Sequence, residues 1–170
     1  MRGPLCGRPG NSIFKSFPLF VILGNDAEGL GYVSMMFYHP SLKSDPEITA
    51  ITTKYLPKAI PHLKALVEKP DGWGCNGVKY ARILFLLDKD VDQIEYAFSK
   101  AYEEADSGVR KAKVAEAYGL YYGWTDDHNM AEYWFKQAID DCKSQAGGSK
   151  YEPRTALSGQ QIIKRGRKFY

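Results

Sequence analysis

Apolar and polar positions along this chain recur with the period of helices. Ile94, Phe98, Ala101, Tyr102 and Ala105 fall at i, i+4, i+7, i+8 and i+11, one stripe of a helix. Ala131, Phe135, Ala138, Ile139 and Cys142 repeat that spacing. The two stripes predict helices over 91–105 and 128–142. Mostly apolar residues predict another over 76–87, and a fourth is expected over 109–122. Upstream, Asp45-Pro46-Glu47 is a strong helix start: Asp can cap, Pro suits the first turn, and Glu favours the positive end. Pro57 and Pro61 interrupt the helix that this start opens, so two pieces are expected, 46–55 and 57–69. A helix over 27–38 should stop at His39-Pro40, because a residue before proline disfavours helical geometry. Pro70-Asp71-Gly72-Trp73-Gly74, Asp88-Lys89-Asp90, Ser107-Gly108 and residues 123–127 read as connections. No stretch alternates as a strand does. The expectation is an all-α fold of hairpins joined by short loops.

Two of these hairpins superpose. Tyr96-Ala97-Phe98-Ser99-Lys100-Ala101 lines up with Tyr133-Trp134-Phe135-Lys136-Gln137-Ala138 at an offset of 37, and Ile60-Pro61-His62-Leu63-Lys64-Ala65 lies 36 residues before the first of them. Helical pairs recurring at roughly 34 to 40 residues are the mark of a helical solenoid. Gly119, Tyr122 and Gly123, followed by Ala131, Trp134 and Ala138, resemble a Sel1-like repeat, and Gly119, Tyr122, Ala131, Phe135 and Ala138 resemble the related tetratricopeptide (TPR) repeat. In the middle unit Phe85, Phe98 and Ala101 fit, while Arg82 replaces the small residue; in the last, Lys143 stands where a tetratricopeptide repeat closes with Pro. The resemblance implies close helix approach at Gly119 and Ala131, a gap filled by Tyr122 and Phe135, and room at Ala138 for the next unit. It implies a short α-solenoid of about three hairpins over 26–145. An irregular arm (1–25) and a basic tail (146–170) flank it.

Charge sharpens that division. Residues 1–25 carry +3 with no acid, and residues 146–170 carry six basic residues against Glu152, or +5. Taking both from the total of +3 leaves −5 for residues 26–145. An acidic body with basic ends suits contact with acidic protein, RNA or an anionic surface. Cys6, Cys75 and Cys142 are odd in number and far apart, which points to free thiols in a reducing intracellular compartment. The acid-poor first 25 residues have the composition of a mitochondrial or chloroplast targeting segment, but Pro4, Gly7, Pro9 and Gly10 suit an uncleaved extended arm better. The longest apolar runs, residues 19–23 and 83–87, are far short of the roughly 20 residues of a membrane span.

Candidate chemistry is sparse. Asp88-x-Asp90-x-Asp92 opens like a calcium loop, but Gln93 takes the glycine position and Ser99 the bidentate acid position. Asp126-Asp127-His128 reads as helix capping. No phosphate-binding loop, HExxH or GxSxG motif occurs. The sequence gives no catalytic residue, cofactor or metal, and the expected role is non-enzymatic: a scaffold or accessory subunit of a large complex, an organellar one among the candidates. Its docking residues would be Lys79, Arg82, Lys113 and Glu116 on the first helices, and Lys164, Arg165, Arg167 and Lys168 in the tail. The alternatives are a free adaptor holding a peptide in a concave groove, and a ribosome- or RNA-associated protein. The latter would use the basic run interleaved with Phe169 and Tyr170 to neutralise phosphates and stack on bases.

Overall fold

The computed structural model describes residues 45–58, 60–69, 74–144 and 151–169. Within them the protein is helical, with no strand. The elements are α1 (Pro46–Tyr55), a 3-10 turn (Leu56–Lys58), α2 (Ile60–Val67), α3 (Cys75–Leu86), α4 (Val91–Glu104), α5 (Gly108–Trp124), α6 (His128–Lys143) and α7 (Arg154–Lys164). The interruption expected at Pro57 falls in the 3-10 turn, and Pro61 sits in the first turn of α2, where its missing N–H costs nothing. The helix expected over 27–38 and the arm of residues 1–25 lie outside the described residues.

From α2 onward each helix packs on the next, and α5 also packs on α3 and α7. One main core runs through the stack, with a smaller cluster of Ala101, Ala105 and Val114 beside it. Leu56, Leu63, Val67, Ile83, Leu84, Phe98 and Phe135 are its largest fully buried side chains. The chain begins α3 at Gly74, whose φ of 68° is left-handed and whose Cβ, if present, would lie 2.1 Å from the Ala101 carbonyl oxygen. Only glycine meets both demands.

The ends of α3, α5 and α7 follow a common design. After α3, Asp88 is left-handed (φ 50°) and the Lys89 N–H returns to the Leu84 carbonyl (2.9 Å). After α5, Asp126 is left-handed (φ 62°) and the Asp127 N–H returns to the Tyr122 carbonyl (2.9 Å). After α7, Gly166 (φ 58°) and the Arg167 N–H, bonded to the Ile162 carbonyl (3.1 Å), do the same. Each is a helix-closing turn that satisfies a terminal carbonyl. Both α4 and α6 then start on an acidic cap: Asp90 accepts from the Asp92 N–H (3.2 Å), and Asp127 from the Met130 N–H (3.0 Å). The acids read from sequence as a failed calcium loop and a cap pair thus act as turn and cap residues.

The C-terminal segment departs from expectation. Residues 154–164 form a helix, not an irregular tail, packed on α6 and α5. Its sequence hides this, because α7 starts at Pro153 with no side-chain cap and has no acid in its first turn. The stabilising groups come from α5 and α6 instead.

Candidate functional site

Three places on the body gather the residues that the sequence singled out. The first lies between α3 and α5. Arg82, Arg110 and Lys113 stand around a pocket of about 190 Å³, with Val78, Val114, Ala117 and Cys75 completing its lining. Helical spacing explains the grouping: Val78 and Arg82, like Lys113 and Ala117, are one turn apart on adjacent packed helices. Lys113 is exposed, whereas Arg82 and Arg110 are half-buried, and Arg110 also pairs with Asp106 at 2.6 Å. Cys75 is a free thiol.

Two residues expected on that surface are elsewhere, and one of them, Glu116, makes the second place. Lys79 is buried at 4% exposure on α3, which packs against α2, α4 and α5. Glu116 is also buried, at 6%, and faces the C-terminal segment. Its carboxylate accepts from the Ala156 N–H of α7 (2.9 Å) and from the Tyr151 hydroxyl. Ala156 is the third residue of α7, so Glu116 satisfies an N-terminal amide there and puts negative charge at the positive end of that helix. It is a helix cap supplied by another helix. Burial, and then the hydrogen bond to Glu116, push the Tyr151 phenol well above its usual range, while the Lys113 ammonium lies 5.2 Å from the ring centre.

A second buried carboxylate repeats this chemistry on α6. Asp141 accepts from the Tyr102 hydroxyl (2.8 Å) and from the Gln137 amide (3.1 Å), and Lys111 lies over the Tyr102 ring at 5.4 Å. Here too burial leads in raising the phenol, followed by the bond to Asp141. Burial, then Glu116 and Asp141, also raise the Cys142 thiol. Both acids are engaged in tying α4, α5, α6 and α7 together. Among the described residues no group of three or more His, Cys, Asp or Glu side chains is placed to hold a metal ion.

The third place is the end of α7. Lys164, Arg165, Arg167 and Lys168 are exposed on the helix end and its closing turn, where cations favour the negative end of the helix. Phe169 folds back beneath them and is buried, its ring 5.9 Å from Phe135 and against Gly123, where a Cβ would come within 2.9 Å of it. Phe169 therefore fills the body and is not offered for base stacking, contrary to the expectation for an RNA-binding run. The pocket and this cationic end lie toward opposite ends of α5: Lys113 and Gly123 are separated by about 15 Å along the helix axis.

The residues expected to pack the repeat are placed as follows. Phe98, Ala101, Gly119, Tyr122, Ala131, Phe135 and Ala138 are buried; Phe85 and Trp134 are half-buried. A Cβ at Gly119 would lie 2.6 Å from the Phe135 ring, so α5 and α6 approach closely there. Tyr122 turns toward α4, donating to Glu95 (2.8 Å), so the gap beside Gly119 is filled by Phe135 alone of the expected pair. Trp134 stacks on Tyr118 with centroids 4.4 Å apart, and Phe85 on Trp124 at 6.2 Å. No helix among the described residues is long and apolar enough to cross a membrane. No protein-family model matches the chain, and neither a curated protein nor a solved structure matches it.

Proposed function

We propose that this chain is a non-enzymatic protein-interaction scaffold or accessory subunit of a large multi-subunit complex, built as a short α-solenoid of TPR- or Sel1-like hairpins. The repeat reading draws support from the recurring helix ends. The left-handed residues Asp88, Asp126 and Gly166 are spaced by 38 and 40 positions, and the acidic caps Asp90 and Asp127 by 37. The observation that carries the docking reading is the fixed placement of Lys164, Arg165, Arg167 and Lys168. A loose basic tail would lose conformational entropy on binding, of order 1–2 kcal/mol for each backbone residue ordered. A cationic end already held by Phe169 and the Gly166 turn avoids most of that cost. It fits an acidic protein surface, and complementary charge would set orientation and association rate.

A test is to purify the tagged full chain gently and compare it with a quadruple variant, Lys164→Glu, Arg165→Glu, Arg167→Glu and Lys168→Glu. The same partner chains should accompany the natural protein in fixed proportion and be lost from the folded variant. Retention of every partner by the variant rejects docking through this end.

One observation favours a second reading, the free adaptor. The α3–α5 pocket joins an apolar floor (Val78, Val114, Ala117) to a cationic rim (Arg82, Arg110, Lys113), a combination suited to an acidic peptide bearing an apolar side chain. That reading requires reversible binding that disappears in Arg82→Glu/Lys113→Glu; indifference to the double reversal removes it.

A further inference from the structure

The C-terminal segment, residues 151–169, is held to the body by contacts on α5 and α6. Eleven residues long, α7 is shorter than the roughly 12–15 that an isolated helix needs to be even marginally stable. It has no side-chain cap of its own, and its buried residues are the small Ala156 and Gly159. By contrast α5 buries Val114, Tyr118, Tyr121 and Tyr122 along with several small residues. Burial of apolar area is the main source of hold; in α7 it comes mostly from Ile162 and Ile163, partly buried against the core near the helix end, and is small at the helix start. Three contacts supply what is missing. Glu116 takes the Ala156 N–H and the Tyr151 hydroxyl. The Phe135 ring fits against Gly159, where a Cβ would come within 2.3 Å. Phe169 closes over Gly123 and Phe135.

We infer that residues 151–169 form a latch that docks and releases as one unit, with the Glu116 carboxylate as its catch and Phe169 as its bolt. Helix formation and docking are one event, because the cap that α7 needs exists only on the docked surface. Release strips the Glu116 carboxylate of its two donors, uncovers Gly123 and one side of Phe135, and turns the fixed cationic end into a mobile basic arm. The inference deepens the docking reading, for it regulates whether that end is presented rigidly. Its test uses no partner, so the two fail separately.

The experiment is hydrogen–deuterium exchange of the intact chain, read by peptide mass. In the natural protein, peptides from 154–169 should exchange together and faster than those from α5 and α6. In Glu116→Gln, a neutral side chain whose amide nitrogen cannot accept from Tyr151, exchange in 154–169 should accelerate about tenfold or more. Peptides from α3 and α4 should keep their rates. Tyr151→Phe, which removes one donor and leaves the carboxylate on Ala156, should give a smaller acceleration confined to the same segment. Phe169→Ala should act on it as Glu116→Gln does. Equal rates for α7 and α5 in the natural protein would overturn the latch, since α7 would then open only with the whole. So would a uniform acceleration of all helices in Tyr151→Phe and Glu116→Gln, or no change in 154–169 in either.

Discussion

Gly119→Ala sets two opposed effects against each other. Glycine inside an exposed helix costs roughly 0.5–1 kcal/mol relative to alanine, so by propensity alone the substitution stabilises α5. The structure reverses the sign. An alanine Cβ would lie 2.6 Å from two carbons of the Phe135 ring, closer than such atoms come in practice. The ring has nowhere to go: a Cβ placed at Gly159 on α7 would meet its far edge at 2.3 Å, and Phe169 stacks on it at 5.9 Å. Overpacking a close-packed core costs about 1–3 kcal/mol, which exceeds the propensity gain over most of that range. The expected net loss is about 1 kcal/mol, or some 2–4 °C in Tm for a chain of this size, measurable by urea denaturation followed by far-UV circular dichroism. Pairing it with Phe135→Leu makes room, so the double variant should lose less than the two single losses added. A rise in stability for Gly119→Ala alone would refute the close approach of α5 and α6 at this point.

Other substitutions probe other contacts. Gly123→Ala should cost less than Gly119→Ala, because the neighbour it displaces is Phe169, in non-helical chain beyond α7, rather than a ring fixed within α6 and held on two sides. Asp127→Ala removes the cap of α6 and should cost about 1 kcal/mol; Ser107→Ala, whose bond to the Arg110 N–H is longer at 3.4 Å, should cost less, and the reverse order would contradict the cap geometry. Stability should fall as pH rises above about 10, the ordinary tyrosine value. Burial raises Tyr102, Tyr118, Tyr122 and Tyr151 and pushes Tyr121 up to about 12, so in this window the unfolded chain releases protons that the folded one keeps. Denaturant midpoints that hold constant through that window would contradict it. The raised Cys142 thiol should alkylate slowly at neutral pH, and faster in Glu116→Gln, as read by mass mapping.

Helices whose signals are local were legible in the sequence. The stripe Ile94, Phe98, Ala101 and the cap Asp90 sit within α4 or beside it, and so do Phe135, Ala138 and Asp127 for α6. The sequence pattern ends α5 two residues short because Gly123 reads as a stop, whereas in the fold it makes room for Phe169 and the helix continues to Trp124. The features that could not be read are those that depend on distant residues. The cap of α7 lies 40 positions upstream at Glu116, and its packing partner Phe135 is 24 positions from Gly159. A basic run after two glycines therefore looks like a tail. The same separation hid the role of Glu116: an acid on the first helix of a hairpin reads as a surface group until α7 is seen to lie over it. Gly166 and Phe169 carried the available hint, a helix-ending glycine followed by a large apolar residue.

Docking of the folded body on other protein chains through its cationic end is best tested by partner retention across a salt series. Tagged full chain and the Lys164→Glu, Arg165→Glu, Arg167→Glu, Lys168→Glu variant are purified in parallel at rising ionic strength. The natural protein should retain a fixed set of protein partners at low salt and shed them as screening increases, and the folded variant should retain none of that set. A natural protein that emerges alone at low salt, or a variant that keeps the full set, would contradict docking through this end.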